Sequence, residues 1–271
     1  MQPALHERVI DEQKIRQDAK SHHNPRVAEI VETLQASILD GLQTANVTHA
    51  EFKAGIKFLG GVQAAKEIPL LLMVFLEAKH IFGIDEHKEG SQGTVLGPYF
   101  RDTAPELTRP YKLPMRSDEP GEPLKTTLTI TDTTGKPIDN ARISMWQADN
   151  FGAYSGFHGE VDEENLRGVM YTDGDGKIEV ESVRPGPYPI PDKGPTGKIL
   201  GALGRHSWRP AHLHFVITKD GYEPLTAQLY FKGGQWVDSD CVHGVRDSLV
   251  IEPAKKGDAW TIDHTFALRS A

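Results

Sequence analysis

The chain of 271 residues has only one cysteine, Cys241. A lone thiol excludes an intrachain disulfide framework and a structural zinc site built from several thiolates, and it fits a reducing cytoplasm. Positive charge is also scarce: 30 Lys and Arg stand against 38 Asp and Glu, a formal net charge of -8. Gripping a phosphate backbone needs the opposite balance, so nucleic acid is not expected as a partner. Long apolar runs are missing as well. The longest, Pro69 to Leu76, falls far short of the roughly 20 residues that cross a bilayer, so no membrane partner is expected. The opening run Met1 to Gln17 is polar and charged, without the apolar centre of a secretion signal. Internal repeats and low-complexity tracts are absent too. A soluble, cytoplasmic globular protein is the expectation.

What is present falls into two parts with different periods. Residues 1 to about 88 read as helical. Asn24-Pro25 is a cap followed by a first-turn proline, and Val27, Ile30, Val31, Leu34, Ile38 and Leu42 then recur at helical spacing. Thr48-His49-Ala50-Glu51 is a capping box, in which hydroxyl and carboxylate each satisfy a free amide of the first turn. Phe52, Ile56 and Leu59 continue that helix, and Gly60-Gly61 is expected to stop it. Ile68 to Phe82 is apolar nearly all round, which predicts a helix buried on most sides.

After Gly97-Pro98 short runs of period two take over, separated by turn residues. Leu128 and Ile130, then Ile143 and Met145, alternate with polar neighbours, with a turn at Thr134-Gly135. Val169 to Thr172 and Lys177 to Val183 flank Asp173-Gly174-Asp175-Gly176, which reads as a hairpin. That tetrad also resembles the start of a calcium loop, but the twelfth position is Arg184 rather than Glu. Ala211 to Thr218 and Leu225 to Phe231 are two further strands around Asp220-Gly221. Many short strands at such spacing indicate a β-sandwich or barrel.

The sharpest local feature is Arg209-Pro210-Ala211-His212-Leu213-His214-Phe215-Val216-Ile217. Alternate side chains of a strand share a face. Ala211, Leu213, Phe215 and Ile217 would fill the core, leaving His212 and His214 together on the other side. Two adjacent imidazoles can ligate one metal ion, whether Zn, Cu, or Fe(II) with a carboxylate. A half-buried strand with two hydrogen-bonded histidines is the plain alternative. The residues alone do not choose among these, nor do they pick further ligands from the seven tyrosines and 38 carboxylates.

A series of ordered motifs supplies the context. Gly97-Pro98-Tyr99-Phe100, Trp146-Gln147-Ala148-Asp149, Gly152-Ala153-Tyr154-Ser155, Tyr171-Thr172-Asp173 and Pro187-Tyr188-Pro189-Ile190-Pro191 follow one another. Gly194-Pro195-Thr196-Gly197, Gly204-Arg205-His206-Ser207-Trp208 and the histidine strand complete it. The series resembles the intradiol ring-cleavage dioxygenases, in particular the catechol, chlorocatechol and hydroxyquinol 1,2-dioxygenase branch. The resemblance is strongest from Gly97 to Val245 and loosest before residue 45.

The resemblance implies a mainly β fold with a helical N-terminal region: an α-helical dimerisation linker over residues 1–95 and a β-sandwich catalytic domain over 96–271. It implies one Fe(III) per chain, held by Tyr154, Tyr188, His212 and His214, with Tyr188 the ligand that leaves when substrate binds and takes its proton. Phenolate is a hard anionic ligand that suits ferric iron. Arg209 would stabilise anionic charge over the substrate, and Gln228 would line the same pocket. Leu70, Met73, Val74, Val95, Pro98, Tyr99, Ile190, Pro191, Cys241 and Val242 would surround the ring. The implied reaction is O2-dependent cleavage of catechol or a substituted catechol to a cis,cis-muconate. Relatives often carry Asp or Gly at Met73 and Trp at Ile68, and an apolar Met73 removes a partner for a third hydroxyl. Hydroxyquinol and chlorocatechol are the alternative substrates. The helical part would form a homodimer, with a phospholipid at its interface. Two readings of other classes stand beside this one: a zinc hydrolase using the same histidines, and a non-catalytic β-sandwich binding module.

Overall fold

The structure, a computed structural model, describes residues 23–157 and 161–271. The polar opening run Met1 to Gln17 lies outside the described residues. The chain divides into two compact units, one ending at Leu59 and the other spanning Gly60–Ala271.

Local capping chemistry starts both helices of the N-terminal region. Helix α1 spans Pro25–Thr44, and the Asn24 side chain accepts from the N–H groups of Arg26 and Val27, both at 3.1 Å. Helix α2 spans His49–Ala64. Its box is reciprocal: Glu51 accepts from the Thr48 N–H at 2.8 Å, and the Thr48 hydroxyl accepts from the Glu51 N–H at 3.3 Å. Gly60-Gly61 does not stop this helix, contrary to the sequence expectation. Neither glycine leaves the right-handed region, and Val62 is buried, which anchors the final turn. The left-handed residue that ends the run is Lys66, at φ 59°. Helix α1 buries none of its side chains. Val27, Ile30, Val31, Leu34, Ile38 and Leu39 remain exposed along it, as do Phe52, Ile56 and Leu59 on α2.

In the second unit, α3 (Ile68–Leu72) runs into a π-helical turn (Met73–Glu77) and then α4 (Ala78–Asp85). Burial on most sides was expected here, and the structure corrects it. Met73, Val74 and Ala78 are buried, whereas Ile68, Leu72 and Leu76 are exposed, Leu76 at 60%. These three lie four residues apart on one face, which the rest of their own unit leaves uncovered.

The rest is a β-sandwich. The first sheet has the order β1-β5-β2-β12-β11, formed by Tyr111–Lys112, Lys177–Val183, Pro123–Asp132, Ala259–Leu268 and Ala254–Lys256. The second has the order β10-β9-β8-β3-β4, formed by Val250–Ile251, Leu225–Phe231, His212–Thr218, Arg142–Gln147 and Arg167–Tyr171. A two-stranded ribbon pairs β6 (Tyr188–Pro189) with β7 (Trp208–Arg209). Period-two alternation builds the core. Leu128, Ile130, Ile178 and Phe266 of the first sheet share a fully buried cluster with Ile143, Leu213, Phe215 and Leu229 of the second. Each such side chain stabilises the fold by about 1.5–3 kcal/mol relative to exposure.

The strands around Asp220-Gly221 do form a hairpin: β8 and β9 pair antiparallel from His212↔Tyr230 to Ile217↔Leu225. Those around Asp173–Gly176 do not. Strand β4 pairs with β3 and β5 with β2, so the turn carries the chain from one sheet to the other. Its chemistry is that of a tight turn: the Asp173 carboxylate accepts from the N–H groups of Asp175 and Lys177 at 3.0 and 2.9 Å. Gly176, at φ +71°, lies against the Ile130 carbonyl, where a Cβ would collide. That close approach seats the turn on the first sheet and sends β5 along β2.

Candidate metal centre and active site

Strand β8 does what its alternation predicts. Leu213, Phe215 and Ile217 enter the sandwich core, and His212 and His214 leave on the opposite face, each 1% exposed. A second apolar cluster closes over them, containing Met73, Val74, Val95, Trp146, Ala148, Tyr154, Tyr188, Ile190, Cys241 and Val242.

Two other segments bring phenols to the pair. Tyr154 sits in the loop after β3, where Gly152 adopts φ +85°. A Cβ there would lie 2.7 Å from both the Tyr188 Cβ and the Pro187 carbonyl oxygen, so only glycine lets the two tyrosine loops touch. Tyr188 lies on β6, in register with Arg209 of β7. The Tyr154 hydroxyl lies 3.0 Å from His214 Nε2 and 3.4 Å from His212 Nε2, and the two Nε2 atoms are 3.0 Å apart. The Tyr188 ring stands at 84° to that of Tyr154 with centroids 5.1 Å apart, and its centroid is 5.7 Å from that of His212.

This triangle fits a metal ion better than a hydrogen-bond network. His212 Nδ1 donates to the Pro210 carbonyl at 2.6 Å, which leaves its Nε2 as a bare lone pair. Burial, reinforced by the Arg209 guanidinium, pulls the His212 pKa down to about 3. Burial, with His212 next, holds His214 well below the ordinary histidine range. Both rings are therefore neutral at pH 7. Three close contacts among one phenol and two neutral imidazoles share at most two protons, whereas one cation satisfies all three donors. Spacings of 3.0–3.4 Å suit donors that share a first-row ion, which holds nitrogen at about 2.0–2.1 Å. Among the described residues no group of three His, Cys, Asp or Glu could hold a metal. The neighbours of the imidazole pair are phenols, which favours a hard, highly charged ion.

Residues 95–269 match the family described as "Dioxygenase". The chlorocatechol 1,2-dioxygenase of Pseudomonas putida is 41% identical over 225 residues, covering 83% of this chain and 86% of that protein. The hydroxyquinol 1,2-dioxygenase of a Rhizobium species is 32% identical and covers 90% of each chain. The crystal structure of 3-chlorocatechol 1,2-dioxygenase from Rhodococcus opacus superposes with a TM-score of 0.84 at 38% identity, covering 91% of this chain and 99% of that one. The chain belongs to the intradiol ring-cleavage dioxygenases. Its function is intradiol, catechol-type ring cleavage, in agreement with the motifs, and the zinc-hydrolase and non-catalytic readings fall away.

Around the donors, this intradiol dioxygenase packs a buried polar group. Arg209 is fully buried. Its Nε and Nη2 each meet an Asp240 oxygen at 3.1 Å, and Nη2 also donates to Gln228 Oε1 at 2.9 Å and to the Tyr230 hydroxyl at 3.1 Å. Nη1 lies 3.3 Å from His212 Nε2. Gln228 in turn donates to the Val95 carbonyl. Burial disfavours a charged Arg209, but Asp240, Tyr188 and Tyr230 together outweigh it and keep the guanidinium protonated.

Of the ten ring-lining residues expected from sequence, Met73, Val74, Val95, Ile190, Cys241 and Val242 are buried beside the donors, with Leu70 and Tyr99 packed against them. Pro98 and Pro191 are exposed, outside that buried cluster. Sequence reasoning gave no role to four residues that the dioxygenase brings to the site. Trp146 stacks on His214 with centroids 4.6 Å apart and planes 12° apart, and it belongs to a motif already singled out. Asp240 and Tyr230 hold Arg209, and Arg167 is described below. Nothing local links these three to the site, because Arg209 lies 31 and 21 residues from Asp240 and Tyr230, and Ser155 lies 12 from Arg167. Among the described residues no helix is long and apolar enough to cross a membrane.

Proposed function

We propose that the chain holds one ferric ion through Tyr154, Tyr188, His212 and His214, and that it cleaves catechol or a chloro-substituted catechol to a cis,cis-muconate. The observation that carries this reading is the convergence of a buried phenol on two neutral imidazoles, with a second phenol alongside. When bound, ferric iron supplies Lewis-acid activation of the diol and opens its reaction with O2. The chain's own groups do the rest. Tyr188 Oη accepts a proton from the incoming diol. Arg209, charged and desolvated, stabilises anionic oxygen close to His212. The apolar walls, including Met73, Val74, Ile190 and Val242, hold the ring and exclude water.

The apolar Met73 and the 41% identical chlorocatechol enzyme support a ring without a third hydroxyl over hydroxyquinol. A buried hydroxyl without a partner costs about 1–3 kcal/mol, enough to favour catechols by roughly 5- to 150-fold. Residues 1–95 as linker and 96–271 as catalytic domain complete the reading, with a homodimer formed through the exposed apolar stripes of α1 and α2. A phospholipid tail would lie along the same stripes.

The test is the visible spectrum of the purified protein, followed by anaerobic addition of catechol and then air. A tyrosinate-to-iron charge-transfer band that shifts with catechol and bleaches with O2 is expected, and Tyr154→Phe, which leaves Tyr188 as the one phenolate, should weaken and shift it. A protein that stays colourless after ferric reconstitution refutes the reading. Sedimentation gives the dimer: a single species at the monomer mass would remove that part alone.

A further inference from the structure

Arg167 on β4 is 2% exposed, and among the described residues no carboxylate pairs with it, although the chain carries 38 Asp and Glu. An unpaired buried guanidinium is costly, and the ordinary remedy is an acid. Here every partner is a neutral oxygen. Nε donates to the Ser155 hydroxyl at 2.6 Å, Nη2 to the Ser155 carbonyl at 2.9 Å, and Nη1 to the Tyr99 carbonyl at 3.2 Å.

Those two residues bracket Tyr154. Ser155 follows it in the chain, and the Tyr99 ring stacks on the Tyr154 ring with centroids 4.3 Å apart and planes 21° apart. The planar fork of Arg167 thus ties together the two loops that enclose one phenol. It reaches them from β4, where Arg167 stands opposite Trp146, the residue stacked on His214. A guanidinium suits this task because its five donors are fixed in one plane, which a lysine ammonium cannot imitate.

We propose that Arg167 is a positioning residue for Tyr154: its fork fixes the Tyr99 and Ser155 backbones on either side of the phenol and so sets where the Tyr154 oxygen meets the metal. The proposal rests on the iron reading of the site. It assigns Arg167 no contact with substrate.

The test compares wild type, Arg167→Met, Arg167→Lys and Ser155→Ala, each as the iron-loaded full chain. Two readouts besides turnover are used: the charge-transfer band and the rate of iron loss to excess chelator. Outer partners of metal ligands typically change metal affinity or activity by about 10–100-fold. Arg167→Met is expected to release iron faster by that factor and to displace the band. Lysine, which keeps the charge but not the fork, should fall between the two. Ser155→Ala removes one acceptor and should move both readouts the same way by a smaller factor; it decides the matter if Arg167→Met does not fold. A band and release rate unchanged in the folded variants would overturn the inference alone, as would full restoration by lysine. A wild type without the band overturns the iron reading and this inference with it.

Discussion

Replacing Asp240 by Asn removes one charge from a buried pair and turns one oxygen that accepts from Arg209 and a backbone N–H into an NH2 donor. The carboxylate and Arg209 are each 1% exposed at the side chain, with a closest approach of 3.1 Å. Breaking such a pair by neutralising one partner costs about 3–5 kcal/mol, because the other charge stays buried. Arg209 keeps Gln228 Oε1 and the Tyr230 hydroxyl as acceptors, which places the expected loss near the lower end, about 3 kcal/mol. At about 2–4 °C per kcal/mol for a chain of this size, the melting temperature should fall by roughly 6–12 °C at pH 7. The pH dependence adds a sign. Burial pushes the Asp240 pKa up, but Arg209, His212 and the Val242 N–H together outweigh it and leave the carboxyl below its ordinary value. A depressed folded pKa contributes stability above the unfolded value of about 3.9 and loses it as pH falls through the folded value. The gap between wild type and Asp240→Asn should therefore be full at pH 7 and close progressively below about pH 4. Denaturant titrations of the metal-free proteins across that range measure it. A difference under about 1 kcal/mol at pH 7, the range of surface pairs, would refute the assignment of this pair as buried and desolvated.

Burial, with Asp240 next, pushes the Cys241 thiol up to about 12, so the native protein should react far more slowly with a disulfide reagent at pH 8 than the unfolded chain; equal rates would contradict its burial. The Asp85 carboxyl is pushed up by burial but held below its ordinary value by the Gly93 N–H, Arg269 and Arg246. Its contribution is present above the unfolded pKa of about 3.9 and disappears below the folded one, so Asp85→Asn should destabilise at pH 7 and less on acidification. A gap that grows towards low pH would reverse that sign. Phe215→Ala should cost about 3–5 kcal/mol in a denaturant titration, while Phe151→Ala, at a site 77% exposed, should stay within about 0.5 kcal/mol.

The parts of this molecule legible in sequence are those whose causes are local. Asn24-Pro25 and the Thr48–Glu51 box begin helices because their partners lie two or three residues away. The face shared by His212 and His214 follows from strand alternation alone. The gathering of Tyr154 and Tyr188 around them required a whole series of motifs, since no periodicity links residues 154, 188 and 212. Asp173–Gly176 misled for a related reason. Its turn chemistry is real, but whether the next strand joins the same sheet depends on the contact between Gly176 and Ile130. Gly60-Gly61 misled because a helix that keeps Val62 buried tolerates two glycines. Arg167 and Asp240 were illegible because the contacts that tie them to the site, with Ser155 and Arg209, lie 12 and 31 residues away in sequence.

The π-helical turn at Met73–Glu77 has a consequence for how this family can vary. In an unbroken α-helix, positions 73 and 85 point about 120° apart. One additional residue in a turn takes back about 100° of that, so Met73 and Asp85 come nearly into phase and both turn inward. Met73 then lies in the apolar cluster at the site, and Asp85 reaches Arg246 and Arg269. Deleting any one residue between 73 and 77 would restore a regular helix and force a choice between those two anchorages. Side-chain exchange at 73 and 74 thus leaves both anchorages in place, and change of length there does not.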